Sequence, residues 1–247
     1  MPSNNPPWLA EGALFPTPEQ AWDQDSEAPG LLAIGASLDA ATLVDAYRNG
    51  IFPWFSVGQP ILWWSPDPRM ILRPANFKLH RSLRKTISRF RSGLNCEIRV
   101  DSDFESVIHA CSTSPRQGQA GTWIVPAMVE AYIELHHAGF AHSIETWVDG
   151  KLEGGLYCVA VGNAVFGESM FARTTDASKI ALSALVALCC EFGVALIDCQ
   201  QNTRHLASLG ASEIPRSDFL IDIRLAQRNS GPVWQFSPLY WEHVLSA

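Results

Sequence analysis

Residues 141–200 carry a rhythm that few folds accommodate: three strand-like runs separated by two-residue turn signals, a long apolar helix, and a short closing run. Ala141 to Val148 alternates, Asp149-Gly150 is a hairpin signal, Gly155 to Val161 reads as a strand, Gly162-Asn163 as a second turn, and Ala164 to Phe171 as a third strand. Ala177 to Phe192 reads as a strongly apolar helix closed by Gly193, and Val194 to Gln200 returns as a strand. Strands joined by tight turns run antiparallel, whereas a strand reached through a helix can lie parallel to its neighbour. The pattern predicts an α/β (α+β) chain with a mixed, mostly antiparallel sheet.

The closing run, Leu196-Ile197-Asp198-Cys199-Gln200, ends in two polar side chains spaced two apart. In a strand, period-2 geometry puts Asp198 and Gln200 on one face and Ile197 and Cys199 on the other. A carboxylate beside an amide at the end of a core element is either a hydrogen-bonded structural pair or a device for handling an amine.

Upstream, residues 1–30 are Pro-rich and partly irregular, and a short helix is expected from about Asp39 to Arg48. Ser37 or Asp39 can cap its start and Asn49-Gly50 its end. An aromatic loop, Ile51 to Phe55, precedes Leu62 to Arg69, whose prolines and polar residues argue against a regular element. Its large aromatics are either the core of a small domain or a stacking platform for a flat ligand. Pro126 to His137, ending before Gly139, is an amphipathic helix with Met128, Ala131, Tyr132 and Leu135 on one side. The expected organisation is a small N-terminal domain over residues 1–70 and a larger N-acyltransferase-like (GNAT-like) domain over 71–247.

With 247 residues and 47% hydrophobic content, the chain can bury one large core or two unequal ones. The beginning, MPSNNPPWLA, lacks a basic leader or an apolar signal core, and the apolar stretch Ile180 to Cys190 is too short to span a bilayer. A cytoplasmic protein that does not enter the membrane is expected. Six cysteines without a CxxC pair sit mostly among apolar neighbours, as buried thiols do, so neither disulfides nor a zinc site are expected. His136, His137 and His142 lack HExxH spacing, and His205 reads as structural, so no metal and no cofactor are implied.

The net charge of -7 hides an asymmetry. From Pro68 to Cys96 there is no acid, yet eight of the eighteen basic residues lie there: Arg69, Arg73, Lys78, Arg81, Arg84, Lys85, Arg89 and Arg91. Leu83, Ile87 and Phe90 fall at helical spacing, with Arg81, Arg84, Lys85 and Arg89 largely on the other faces. Such a run is either a solvated helix face or a phosphate-binding surface on an otherwise acidic protein.

Seven short motifs occur together: Gly50-Ile51-Phe52-Pro53-Trp54-Phe55, Trp63 to Arg69, Gly121-Thr122-Trp123-Ile124, Ala141-His142-Ser143-Ile144-Glu145, Gly167-Glu168-Ser169-Met170-Phe171 with Ala177-Ser178-Lys179, Leu196 to Gln200, and Ser208-Leu209-Gly210-Ala211. In this order and spacing the chain closely resembles the leucyl/phenylalanyl-tRNA-protein transferase family, from about Gly30 to Pro215. The resemblance implies an enzyme that moves Leu, Phe or Met from an aminoacyl-tRNA to the N-terminal Arg or Lys of a protein, tagging it for N-degron proteolysis. It implies recognition of the tRNA 3′ end and acceptor stem, with Arg81, Arg84, Lys85 and Arg89 as the basic surface, and a monomer is expected. Ala172 and Val165 depart from the family pattern, which leaves the amino-acid preference open.

The ester of an aminoacyl-tRNA is already activated, so such an enzyme must position it and free the attacking amine of its proton. An α-amino group titrates at roughly 7.7–8.0, so a modest base suffices. Gln200 can accept a hydrogen bond from the amine while Asp198 orients it. Asp198 either takes a proton, or the pair only positions the amine while the tRNA 2′-hydroxyl assists. Glu168 is a candidate counter-charge to an ammonium, or else a partner of Lys179 or Arg173. Trp54 and Trp123 are candidates to stack on the terminal adenosine or pack on the aminoacyl group, with Tyr47 and Tyr132 as weaker ones. Leu156, Val165 and Ile197 are the expected side-chain pocket. Two other classes compete: an acetyl-CoA-dependent N-acetyltransferase and a non-catalytic binder of basic N-termini. The first wants a Gly-rich pyrophosphate loop, and residues 169–179 contain no glycine.

Overall fold

The computed structural model describes residues 5–114 and 124–246. Along the chain run β1 (Trp8–Leu9), β2 (Leu31–Gly35), α1 (Ala40–Arg48), β3 (Phe52–Pro53), β4 (Leu62–Trp64), β5 (Arg69–Leu72), α2 (Arg81–Ser92), β6 (Cys96–Val100), α3 (Phe104–Thr113) and α4 (Pro126–His137). Then follow β7 (Ala141–Val148), β8 (Lys151–Val161), β9 (Ala164–Ala172), α5 (Ala177–Glu191), β10 (Ile197–Gln200), α6 (Arg204–Ser208), β11 (Ser212–Ile214), α7 (Arg216–Ala226) and α8 (Glu242–Leu245).

Among the described residues the strands form two sheets, β1-β2-β4-β3 and β11-β5-β10-β9-β8-β7-β6. In the larger sheet β9 and β10 pair in parallel, and the other neighbours pair antiparallel. The mixed sheet expected from residues 141–200 is therefore present. The parallel pair arises because α5 carries the chain back across the sheet between β9 and β10. Gly154 on β8 permits this: a Cβ there would lie 2.5 Å from the Ala177 Cβ at the start of α5.

Local chemistry accounts for the helix ends. Asp39 caps α1 by accepting the Thr42 N–H at 3.0 Å, and Asn49-Gly50 closes it with Gly50 at φ +71°. A side chain at Gly50 would collide with Leu220 and Phe219 of α7, so glycine is required twice over there. The apolar residues of α5 are buried almost all round, because it lies between the sheet and the layer of α2 and α8. The opposite sheet face is covered by α3 and α4, in one apolar cluster with Phe52, Phe55 and Trp63 from the first quarter of the chain.

Three expectations need correction. Leu62 to Arg69 is not wholly irregular: β4 lies between β2 and β3, and β5 starts at Arg69, so the prolines at 66 and 68 occupy only the link. The second strand of the meander begins at Lys151 rather than Gly155, and its glycines are accommodated by close neighbours on both faces. The aromatic loop Ile51 to Phe55 contains the short strand β3, and elements β1, β2, β6, β11, α3, α6, α7 and α8 carry no expectation from the sequence. Their runs are short or lack clean periodicity, and β6 and β11 are held as the sheet's outer strands.

Candidate active site

Pro53 and Trp54, the strands β8 to β10, α5 and the residues around α6 enclose a cavity of about 410 Å³. This is within the range of small-ligand sites. Trp54, Leu156, Glu168, Leu182, Ile197 and Gln200 are among its walls. Its lining is mostly apolar, with polar groups from β9, β10 and the residues around α6 among them, which suits a hydrophobic side chain carrying a reactive polar end.

The polar side is built on an irregularity of β10. Asp198 pairs with Ile71 and Gln200 with Met70, so Cys199 is an extra residue in the strand. Gln200 follows at φ +56°, a left-handed backbone that costs a non-glycine residue roughly 1 kcal/mol or more. The Asp198 carboxylate compensates by accepting the Gln200 N–H through Oδ1 at 3.0 Å. The plain period-2 alternation expected for this strand therefore gives way to a bulge, and bulges commonly re-aim a side chain beside a site. Gln200 turns its Nε2 to Glu168 Oε1 at 3.1 Å, which leaves its carbonyl oxygen as the acceptor for an incoming donor.

Asp198 itself is fully buried and is absent from the cavity wall. Both its oxygens are taken by Arg69, with Nε at 2.8 Å and Nη2 at 2.6 Å. Of the two roles open to Asp198, taking a proton or only positioning, a fully buried and doubly engaged carboxylate fits positioning. It reaches Gln200 through the backbone rather than through the side chain.

Glu168 lies half-buried on β9 at the cavity wall. Burial pushes its carboxyl up to about 8, against the hydrogen bond from Tyr47 that favours the charged form, while the nearby Asp198 charge raises it further. Tyr132 donates to its Oε2 at 3.4 Å. The alternative partners do not reach it: Lys179 pairs with Asp176 at 2.7 Å, and Arg173 donates to the Leu152 carbonyl at 2.7 Å.

Tyr47 and Tyr132 are fully buried, with their hydroxyls hydrogen-bonded to each other. Neither is at the cavity, so the expectation that they contact a ligand is corrected: they support Glu168 from behind. Leu156 and Ile197 line the cavity, but Val165 does not; it is fully buried beside Ile197 in the sheet register. Leu182, Leu185 and Met170 complete the apolar wall, and sequence alone gave no signal to separate them from ordinary core. Trp54 is half-buried at the cavity, its ring 5.7 Å from that of Trp64. Trp123 lies outside the described residues. His205 is also at the cavity, and burial together with Lys179 lowers its pKa.

The basic segment separates into two parts. On α2, Leu83, Ile87 and Phe90 face the core, Arg81, Lys85 and Arg89 are exposed, and Arg84 is half-buried, donating to the Leu245 carbonyl. Acids from elsewhere reach three of the other four: Arg69 meets Asp198, Arg73 meets Asp222 at 2.9 Å, and Arg91 approaches Glu242 at 3.7 Å. The acid-free segment therefore does not form one surface, because Arg69 belongs to the interior. Among the described residues no helix is long and apolar enough to cross a membrane, and no group of three or more His, Cys, Asp and Glu is placed to hold a metal ion. The six cysteines are free thiols.

Comparison with known proteins agrees with the motif pattern. The family described as "Leucyl/phenylalanyl-tRNA protein transferase" matches residues 71–224, and its N-terminal domain matches residues 36–67. A leucyl/phenylalanyl-tRNA--protein transferase of Polaromonas sp. (strain JS666) is 62% identical over 98% of this chain and 94% of that protein. Those of Albidiferax ferrireducens and Leptothrix cholodnii are 59% and 56% identical, over 97% and 96% of this chain and 94% of each relative. With its cavity, its bulged β10 and relatives this similar along nearly the whole length, the chain belongs to the leucyl/phenylalanyl-tRNA-protein transferase family.

Proposed function

We propose that this protein is an aminoacyltransferase that moves Leu or Phe, and Met where it fits, from aminoacyl-tRNA to the N-terminal Arg or Lys of an acceptor protein. The observation that carries this reading is an apolar cavity with the Gln200 amide and the Glu168 carboxyl at its wall. Leu156, Ile197 and Leu182 receive the aminoacyl side chain, where each methylene changes discrimination by about 1–3 kcal/mol. Trp54 packs on the aminoacyl group or the terminal adenosine, and Trp123 is assigned to the same end from its motif. The exposed bases of α2, Arg81, Lys85 and Arg89, with Arg84, hold the acceptor stem.

In the reaction the acceptor's α-amine attacks the ester carbonyl, the new C–N bond forms, and the bond to the ribose oxygen breaks. An α-ammonium must first lose one proton; a second leaves nitrogen after attack, and one is returned to the departing ribose oxygen. The Gln200 carbonyl oxygen holds the amine. Glu168, raised to about 8 by burial, is matched to an amine of roughly 7.7–8.0 and takes up its proton. Asp198 orders Gln200 and carries no proton in the cycle. We assign residues 1–70 to the domain that supplies Trp54 and residues 71–247 to the domain that carries the cavity, and place the protein in the cytoplasm as a monomer acting in N-degron proteolysis.

The test is transfer of labelled Leu or Phe from charged tRNA to a peptide beginning with Arg, run beside an acetyl-CoA assay. Label should appear on the peptide only from the charged tRNA. Label arriving only from acetyl-CoA would instead support an N-acetyltransferase.

A further inference from the structure

Arg69 is fully buried, and no step of the transfer uses it directly. Its guanidinium makes three charge-assisted contacts: two with the Asp198 oxygens, and one from Nη1 to the Gly50 carbonyl at 3.1 Å. Its central carbon lies 4.8 Å from the Phe52 ring centre and 4.5 Å from that of Phe219. The group is thus gripped by the turn closing α1, by β3, by α7 and by the cavity strand β10. Desolvating a guanidinium and a carboxylate together is expensive, and an apolar pair of similar volume often serves stability as well or better. What the pair holds in place explains it better than what it adds to stability. It holds Asp198 Oδ1 against the Gln200 N–H, and that contact supports the left-handed residue whose side chain meets Glu168.

We propose that Arg69 is a positioning residue for aminoacyl transfer. Its two-point grip fixes the Asp198 carboxylate, the carboxylate fixes the Gln200 backbone, and the backbone aims the Gln200 amide at Glu168 and the attacking amine. Lysine cannot replace it, since an ammonium is a point charge and cannot hold both oxygens in one plane. The inference rests on the reading of the cavity as the transfer site, because the amide has a rate to control only if transfer occurs there.

The experiment compares wild type, Arg69→Lys, Arg69→Met and the neutral pair Arg69→Met with Asp198→Asn, measuring thermal stability, KM for phenylalanyl-tRNA and kcat of transfer to an Arg-starting peptide. In Arg69→Lys, kcat should fall roughly 10- to 100-fold, as for a reacting group displaced by about an ångström, with KM within about twofold of wild type. The neutral pair should regain most of the stability lost by Arg69→Met alone, yet keep the low kcat. Wild-type kcat in Arg69→Lys, or recovery of kcat along with stability in the neutral pair, would overturn the positioning role and leave the functional reading intact. If Arg69→Lys does not fold, Arg69→Gln takes its place, with wild-type kcat again overturning the positioning role. A wild-type protein that transfers nothing would overturn both.

Discussion

The two ends of the acid-free segment have the same kind of side chain and opposite fates. At the front, Arg69 is sealed in the interior between two aromatic rings and paired with Asp198. Twelve or more residues later, on α2, Arg81, Lys85 and Arg89 stand on an exposed face opposite Leu83, Ile87 and Phe90. The contrast teaches that a charge count describes a field only where the backbone leaves the charges outside. On a two-sided amphipathic helix the apolar stripe tells the bases where to go. On β5, buried along its whole length, the base goes inside and must find an acid there.

The largest effect should come from breaking the buried end. Asp198→Ala leaves the Arg69 guanidinium uncompensated in the core, a change expected to cost about 3–5 kcal/mol, to be read from chemical or thermal denaturation. A loss no greater than that of a surface substitution would mean that water reaches the pair. Next comes Gln200→Ala, which should lower kcat by roughly 100-fold or more while tRNA affinity changes little. Unchanged turnover would remove Gln200 from the mechanism.

Glu168 sharpens the same end through pH. Burial raises its carboxyl from near 4.5 to about 8, so between those values the folded protein holds a proton that the unfolded chain has released. Its contribution to stability is therefore full below about 4.5, declines as pH rises, and is lost above about 8. Glu168→Gln should flatten that decline relative to wild type. Identical pH–stability curves for the two proteins would contradict the shifted carboxyl.

The smallest effect on the fold, and the most specific to binding, belongs to the exposed end. Arg81→Ala with Lys85→Ala should leave stability within about 0.5 kcal/mol and weaken tRNA binding. The slope of log affinity against log salt should fall by about one for each phosphate contact removed. An unaltered slope would return α2 to an ordinary solvated face.

Much of this was legible along the chain. The turn signals at Asp149-Gly150 and Gly162-Asn163, the Asp39 cap and the Gly193 stop act on neighbouring residues, so they specify the meander, α1 and α5 without knowledge of the rest. Glu168, Gln200, Ile197 and Trp54 were visible as motif residues and Leu156 as a pocket candidate, and all five border the cavity. Tyr47, Tyr132 and Val165 were named as candidates too and are buried behind the wall instead, because local periodicity carries no record of which sheet face is hollow.

The sequence by itself determined the antiparallel meander, the apolar crossover helix, the basic stripe of α2 and the family, since each is written in local chemistry or in ordered motifs. Only the tertiary structure decided that Arg69 and Asp198, 129 residues apart, share one ion pair. It also decided that a bulge turns Gln200 toward Glu168. The reason is that strand order is a nonlocal quantity: β5 meets β10 only after the chain has folded through the meander and α5, and no local spacing encodes that meeting.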